Sequence, residues 1–126
     1  MSESVQPDGL AAAIIATLEN YSEEVTAGIK QDVRDVAQKC RENIERDSPK
    51  KSGDYSRHWK VKNSETAQQA SALIYNTEGR LTHLLEDGHG IRNGGRTRAF
   101  PHIKTNEAAA NAELEAKIEK RLADGH

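Results

Sequence analysis

Apolar residues in the first third of the chain recur three or four positions apart. They form one stripe from residue 10 to residue 44: Leu10, Ile14, Leu18, Tyr21, Val25, Ile29, Val33, Val36, Cys40 and Ile44. This spacing is typical of an amphipathic helix with one buried face. Unbroken, such a helix would extend about 55 Å, which exceeds the diameter of a compact domain of this size. The pattern therefore predicts a long N-terminal helix that either projects onto a neighbour or breaks.

A kink or break in this helix is favoured near residues 20–22. Ser22 is a typical N-cap, and two glutamates follow it in the first turn, where the helix dipole stabilises negative charge. At the beginning of the pattern Asp8 is the candidate N-cap. Residues 1–7 are small and polar and are predicted to be disordered, so we expect a single domain over residues 8–124.

Two strands separated by a polar turn predict an antiparallel hairpin over residues 55–76. The first, residues 55–62, alternates between two faces, as a strand should. These faces carry Tyr55, Arg57, Trp59 and Val61 on one side, and Ser56, His58, Lys60 and Lys62 on the other. Residues 70–76 form the second strand. Because two strands alone are marginally stable, a third or fourth is expected from residues 98–104 or from a partner subunit.

The remaining pattern predicts a short helix over residues 80–87, a long basic loop, and a C-terminal helix over residues 106–123. Gly88 ends the short helix, and Thr105 or Asn106 caps the last one. The apolar stripe of the C-terminal helix consists of Ala110, Leu114, Ile118 and Leu122. Together the elements predict an α+β fold, in which helices cover one face of a small antiparallel sheet.

Charge is distributed unevenly along the chain. Residues 1–47 carry ten acidic and five basic side chains, residues 48–104 carry five acidic and ten basic, and residues 105–126 carry five acidic and three basic. A dedicated nucleic-acid binder is more often basic overall. Apolar residues make up 35% of the chain and aromatic residues 4%, so the core is expected to be modest. Both features suit subunits that bury further surface by joining acidic faces to basic ones.

The single cysteine, Cys40, excludes an intrachain disulfide and lies on the apolar stripe, where we expect a buried structural thiol. No signal-peptide pattern begins the chain, and no apolar run approaches the length of a membrane span. These features predict a soluble protein made in a cytoplasm, with no membrane partner.

The stretch of residues 80–103 concentrates histidine, arginine and glycine. His83, His89 and His102, with Glu86 nearby, have the ligand types of a zinc site, but their spacing matches no tight ligand pattern. We therefore expect these four side chains to brace the loop by hydrogen bonds, and we expect no metal and no cofactor.

Gly94 and Gly95, flanked by Arg92 and Arg96, have the residue types of a phosphate site, but the Gly-Lys-Ser/Thr ending of a P-loop is missing. Nonspecific DNA contact stays open as an alternative, and the lysines of the first hairpin strand would extend such a patch. A metal-dependent nuclease site built from His-Asn-His is a further alternative that lacks the expected ββα context. No nucleophile elbow or paired carboxylate motif stands out, so we expect a protein that is not an enzyme.

A loop shaped to join another protein accounts best for this stretch. Its glycines permit close backbone approach, and no acidic residue lies between positions 88 and 104. The residues expected at an interface with a partner or another copy are Arg92, Asn93, Gly94, Gly95, Arg96 and Arg98.

Three motifs in this order resemble a phage protein family. They are Arg80-Leu81-Thr82-His83-Leu84-Leu85-Glu86 with Gly88-His89, then Arg92-Asn93-Gly94-Gly95-Arg96, then Pro101-His102-Ile103. The earlier turn and strand, Ser48-Pro49-Lys50-Lys51-Ser52-Gly53-Asp54-Tyr55, is similar as well, with serine at position 52 where the family usually has threonine. The chain resembles the gene-product-ten-like family of head–tail connector or tail-component proteins of long-tailed phages over residues 8–123.

The resemblance implies a non-enzymatic structural protein of the virion neck or tail, assembled in the host cytoplasm. Relatives of this kind oligomerise into rings, commonly of six, where the tail joins the head. The implied partners are other copies of the chain and adjoining neck or tail proteins. The family has no settled catalytic residues, so only an assembly role carries over to the loop.

Overall fold

The structure, a computed structural model, describes residues 11–48, 58–77 and 102–124. In chain order the elements are β1 (Ala12–Thr17), α1 (Glu23–Asp47), β2 (Trp59–Glu65), β3 (Gln69–Asn76) and α2 (His102–Ala123). Within these three ranges, two helices and a small antiparallel sheet form the α+β fold that the sequence predicts.

The first segment is a strand, so the prediction of a helix before residue 20 is wrong. Ala12, Ile14 and Ala16 are buried, whereas Ile15 and Thr17 are exposed. This alternation has the period of a strand, and β-branched residues favour the extended backbone. Leu18, the next member of the predicted stripe, lies four residues after Ile14. A step of four fits both a helical and a strand period, which is why the helical pattern appeared continuous.

The sheet has the order β1-β3-β2, and both pairings are antiparallel. Ile14 pairs with Ala72 on β3, and Val61 of β2 pairs with Ile74 of the same central strand. The predicted hairpin is therefore confirmed. The third strand comes from the N-terminal segment and not from residues 98–104, because residues 102–104 already belong to α2.

The helix start that the sequence predicts after Ser22 is confirmed at the beginning of α1. The main-chain N–H of Val25 donates to the Ser22 hydroxyl over 3.1 Å, which makes Ser22 the N-cap. From there the predicted stripe holds, and its buried apolar members in α1 are Val25, Ile29, Val33, Val36, Cys40 and Ile44. They pack with the inward faces of β1 and β3, where Ala70 and Ala72 keep the sheet surface low.

Helix α2 begins at His102, four residues before the predicted start. Asn106 is consequently inside the first turns and is not the cap. Its side-chain N–H groups donate to the main-chain oxygen of His102 over 2.7 Å and to the Asp47 carboxylate over 3.0 Å. Of the predicted stripe, Ala110 and Leu114 are buried, whereas Leu122 is 40% exposed.

The far end of α2 is fastened to α1 by an ion pair. The Arg121 guanidinium donates from Nε to Asp32 Oδ2 over 3.0 Å and from Nη2 to Oδ1 over 2.9 Å. The Asp32 side chain is only 8% exposed. Gly28, one turn before Asp32, leaves room for the guanidinium, because a β-carbon at position 28 would overlap it.

We expect the effect of Gly28→Ala on the free energy of unfolding to have opposite signs in the native chain and in an Arg121→Ala background. In the native chain the added methyl displaces Arg121 from Asp32, and the free energy of unfolding falls by about 1 kcal/mol despite the better helix propensity of alanine. In an Arg121→Ala background, which itself costs about 2 kcal/mol, the same change raises the free energy by about 1 kcal/mol. Urea unfolding of the four chains measures both effects. Equal effects of Gly28→Ala in both backgrounds would contradict this account.

Candidate functional site

A buried hydrogen-bond chain closes the C-terminal end of α1. The Trp59 indole Nε1–H donates to the Ser48 hydroxyl over 2.9 Å, and that hydroxyl donates to the Ile44 main-chain oxygen over 2.7 Å. Trp59 and Ser48 are each 3% exposed. The Ser48 main-chain N–H also donates to the Glu45 oxygen over 3.2 Å. The last turn of α1 is thereby tied to the first residue of β2.

His102 and Asn106 join this end from α2. The rings of His102 and Trp59 meet edge to face, with centroids 5.8 Å apart and planes at 80°. The pKa of Asp47 is lowered, first by its hydrogen bond from Arg46 and then by the one from Asn106. We call Asp47, Ser48, Trp59, His102 and Asn106 the anchor cluster.

The anchor cluster gathers the chain positions that border the two undescribed internal segments. Residues 49–57 follow Ser48 and precede β2, and residues 78–101 follow β3 and precede His102. His58 and Thr77 are the other two bordering residues. They are joined by a hydrogen bond from the Thr77 N–H to the His58 oxygen over 3.2 Å. All four borders therefore lie at one end of the fold. Together the two segments carry seven basic and four acidic residues.

Of the predicted site residues, the structure describes His102, which is 4% exposed within the anchor cluster. The other predicted bracing residues and the predicted interface residues lie outside the described residues, as do the short helix 80–87, the long basic loop and residues 1–7. The residues outside are His83, Glu86, His89, Arg92, Asn93, Gly94, Gly95, Arg96 and Arg98. Sequence analysis did not find the Trp59–Ser48 contact, whose partners are separated by an undescribed segment.

A second polar arrangement lies where α2 runs along the outer edge of β1. The Ala13 N–H donates to Glu107 Oε2 over 2.8 Å, and the Asn111 side chain donates to the Ala13 oxygen over 3.1 Å. Beyond this point an open groove of about 450 Å³ separates the two elements. We call it the β1–α2 groove, and its lining residues are Ile15, Ala16, Thr17, Asn111, Leu114, Glu115, Ile118 and Glu119.

The sheet surface away from the core carries the lysines considered for DNA contact. Lys60 and Lys62 are exposed, as the alternation of the first hairpin strand predicts. Two ammonium groups on one strand are few beside the six or more phosphate contacts that a strongly salt-dependent binder makes. Within the described residues this strand therefore contributes two cations to the patch considered for DNA contact.

The thiol of Cys40 is buried, as the sequence predicts. It is 2% exposed, and its Sγ–H donates to the Asn106 main-chain oxygen over 3.6 Å. Burial, with a smaller contribution from Glu107, raises its pKa to about 12. The protonated, enclosed sulfur has a structural role. Across residues 11–48, 58–77 and 102–124, no three metal-ligating side chains come together.

In the described residues these features define a small α+β fold, in which two helices pack on a three-stranded sheet and one buried cluster borders two partly basic segments. The family model described as "Bacteriophage HK97-gp10, putative tail-component" matches residues 12–88, more than half of the chain. The chain belongs to this family, and as a phage tail component it is a virion protein. No curated protein and no solved structure matches the chain. Neither of the described helices is long and apolar enough to cross a bilayer.

Ser48→Ala tests the anchor cluster. The change leaves the Trp59 N–H buried without its acceptor, and we expect the free energy of unfolding to fall by about 1–2 kcal/mol. Urea unfolding followed by fluorescence measures it, since Trp59 is the only tryptophan. Ser71→Ala is the matched control, because that hydroxyl makes a more exposed bond of 3.4 Å. Equal losses in the two variants would show that the Trp59–Ser48 bond has no special weight.

Cys40 should react with an aromatic disulfide reagent only as the chain unfolds. In the native protein the thiol is both protonated and inaccessible, so labelling should be slow even at mildly alkaline pH. Raising the urea concentration should accelerate labelling in parallel with the loss of helical circular dichroism. Rapid labelling of the native chain would mean that Cys40 is an accessible, reactive thiol.

Proposed function

We propose that this protein is a non-enzymatic tail-completion or head–tail joining subunit, which assembles with other copies into a ring in the virion neck or tail. The observation that carries the proposal is membership of the tail-component family over residues 12–88. A subunit of this kind acts by holding neighbours in place, so its function resides in its surfaces.

The distribution of charge supports assembly between copies. On α2, two exposed carboxylates, Glu115 and Glu119, line the β1–α2 groove. The partly basic segments depart from the opposite, anchored end of α2 and from the end of α1. One acidic and one basic region on the same chain allow a head-to-tail contact, which closes into a ring when the rotation permits.

The contacting segment in this proposal is the arginine-rich part of residues 78–101, with Arg92, Asn93, Gly94, Gly95, Arg96 and Arg98 at the interface. The anchor cluster supports it by fixing the position from which the segment rejoins the fold at His102. No catalytic residue and no cofactor are needed for this role.

Charge reversal at Arg92 and Arg96 tests the proposal. We expect the double change to glutamate to abolish assembly, because it places negative charge against an acidic neighbour, while circular dichroism and urea unfolding stay unchanged. Light scattering gives the mass, for the protein alone and with adjoining neck and tail proteins. Lys60→Glu with Lys62→Glu, the same change of charge on exposed strand positions, is the control and should assemble normally. A native chain that stays monomeric with every partner would refute the ring, and normal assembly of the Arg92/Arg96 variant would remove these residues from the interface.

A further inference from the structure

The outward main-chain groups of β1 are hydrogen-bonded at Ala13, whereas those of Ile15 and Thr17 are open to a further partner. Ala13 directs its N–H and C=O away from β3, because both bind side chains of α2. Along an antiparallel strand these directions alternate, so Ile15 and Thr17 direct their main-chain groups to the same outer side. Within the described part of the chain, no hydrogen bond reaches the outer groups of Ile15 or Thr17. An unpaired edge of this kind is a template for a further strand.

The open edge faces the β1–α2 groove, which has an apolar floor and an acidic rim. Ile15, 43% exposed, and the half-buried Ile118 provide the apolar contact. Glu115 and Glu119 are exposed on α2 above it. Because they are four residues apart on a helix, their positions differ by about 6 Å along its axis. The groove therefore suits an extended segment with two cations at this separation.

The chain itself contains such a segment. Arg96 and Arg98 are two residues apart, with no acidic residue between positions 88 and 104. On one side of an extended strand, two such residues are about 6.7 Å apart, which matches the two glutamates.

A strand whose main chain is in register with both glutamates cannot come from the same copy. Glu115 lies about 20 Å along the axis of α2 from His102. Arg98 is only four residues before His102, and four residues span at most about 14 Å even when fully extended. The main chain at Arg98 therefore cannot reach the level of Glu115 in its own chain, as a paired strand in that register would require.

We propose that the β1–α2 groove binds the arginine-rich segment of a second copy, which adds as a strand to β1 at Ile15 and Thr17 and sets Arg96 and Arg98 against Glu115 and Glu119. The inference rests on the proposed assembly function and names the acceptor surface for it. The contact is head-to-tail, since each copy offers one groove and one segment.

A charge swap tests the pairing. Glu115→Arg with Glu119→Arg should prevent assembly, as should Arg96→Glu with Arg98→Glu. Mixing these two variants, or combining all four changes in one chain, should restore it, because each reversed groove then meets a reversed segment. Asp35→Arg with Glu42→Arg, an equal change of charge on exposed positions of α1, is the control and should leave assembly intact. Normal assembly of either reversed variant, or failure of both the mixture and the four-fold variant, would overturn the proposal.

A peptide-binding experiment tests the groove assignment independently of ring formation. A labelled peptide of residues 92–101 should bind the native protein and should bind the Glu115→Arg, Glu119→Arg variant about tenfold more weakly at low salt. Ile15→Pro removes the outward N–H at an edge position where proline is tolerated, and it should also weaken binding. If the native protein never forms a ring but the peptide binds with this pattern, the proposed function fails and the groove assignment stands. Equal affinity for the native and charge-reversed proteins overturns the groove assignment.

Discussion

The pairing of β1 with β3 determines how the rest of the molecule is arranged. It supplies the third strand that a hairpin needs to become a stable sheet. It also pairs Ala16 with Ala70 and Ile14 with Ala72, so the core face of the sheet carries several small side chains, against which the large apolar side chains of α1 pack. Helix α2 then packs between α1 and the outer edge of β1. Without this pairing α2 would have neither its core contacts with the strand nor its bonds to Ala13.

Local signals in the sequence predicted local structure well. Ser22 and the two following glutamates fix the beginning of α1, and alternation of side chains fixes the faces of the hairpin. The strand β1 was mistaken for helix because alanine-rich residues 10–18 carry both periodicities. Which period prevails depends on β3, more than fifty residues downstream. Similarly, α2 begins at His102 because its first turns are buried against α1, where Asn106 binds Asp47.

The anchor cluster likewise combines a residue that the sequence predicted with contacts that it did not. The concentration of special residues at 80–103 indicated an important region, and His102 was a predicted member of it. The partners that hold this end together, Ser48 and Trp59, carry no motif, since a serine after a helix and a tryptophan in a strand are both ordinary. Their contact follows from the fold, which brings the end of one helix to the beginning of a strand. Charge partition was the sequence signal that pointed toward assembly, because it needs no knowledge of contacts.

The two ends of α2 give different protection to the edge of β1. Glu107 and Asn111 close the edge at Ala13, in the manner by which proteins commonly block unwanted strand pairing. At Ile15 and Thr17 the edge is open, but Glu115 and Glu119 line the groove beside it. An acidic rim repels an acidic strand and accepts a basic one, so the remaining edge selects its partner by charge. A uniformly open edge would pair with any strand, and a fully closed one with none. The short edge at Ile15 and Thr17 lies between these extremes. Its preference for positive charge matches the segment that contains Arg96 and Arg98, which has no acidic residue.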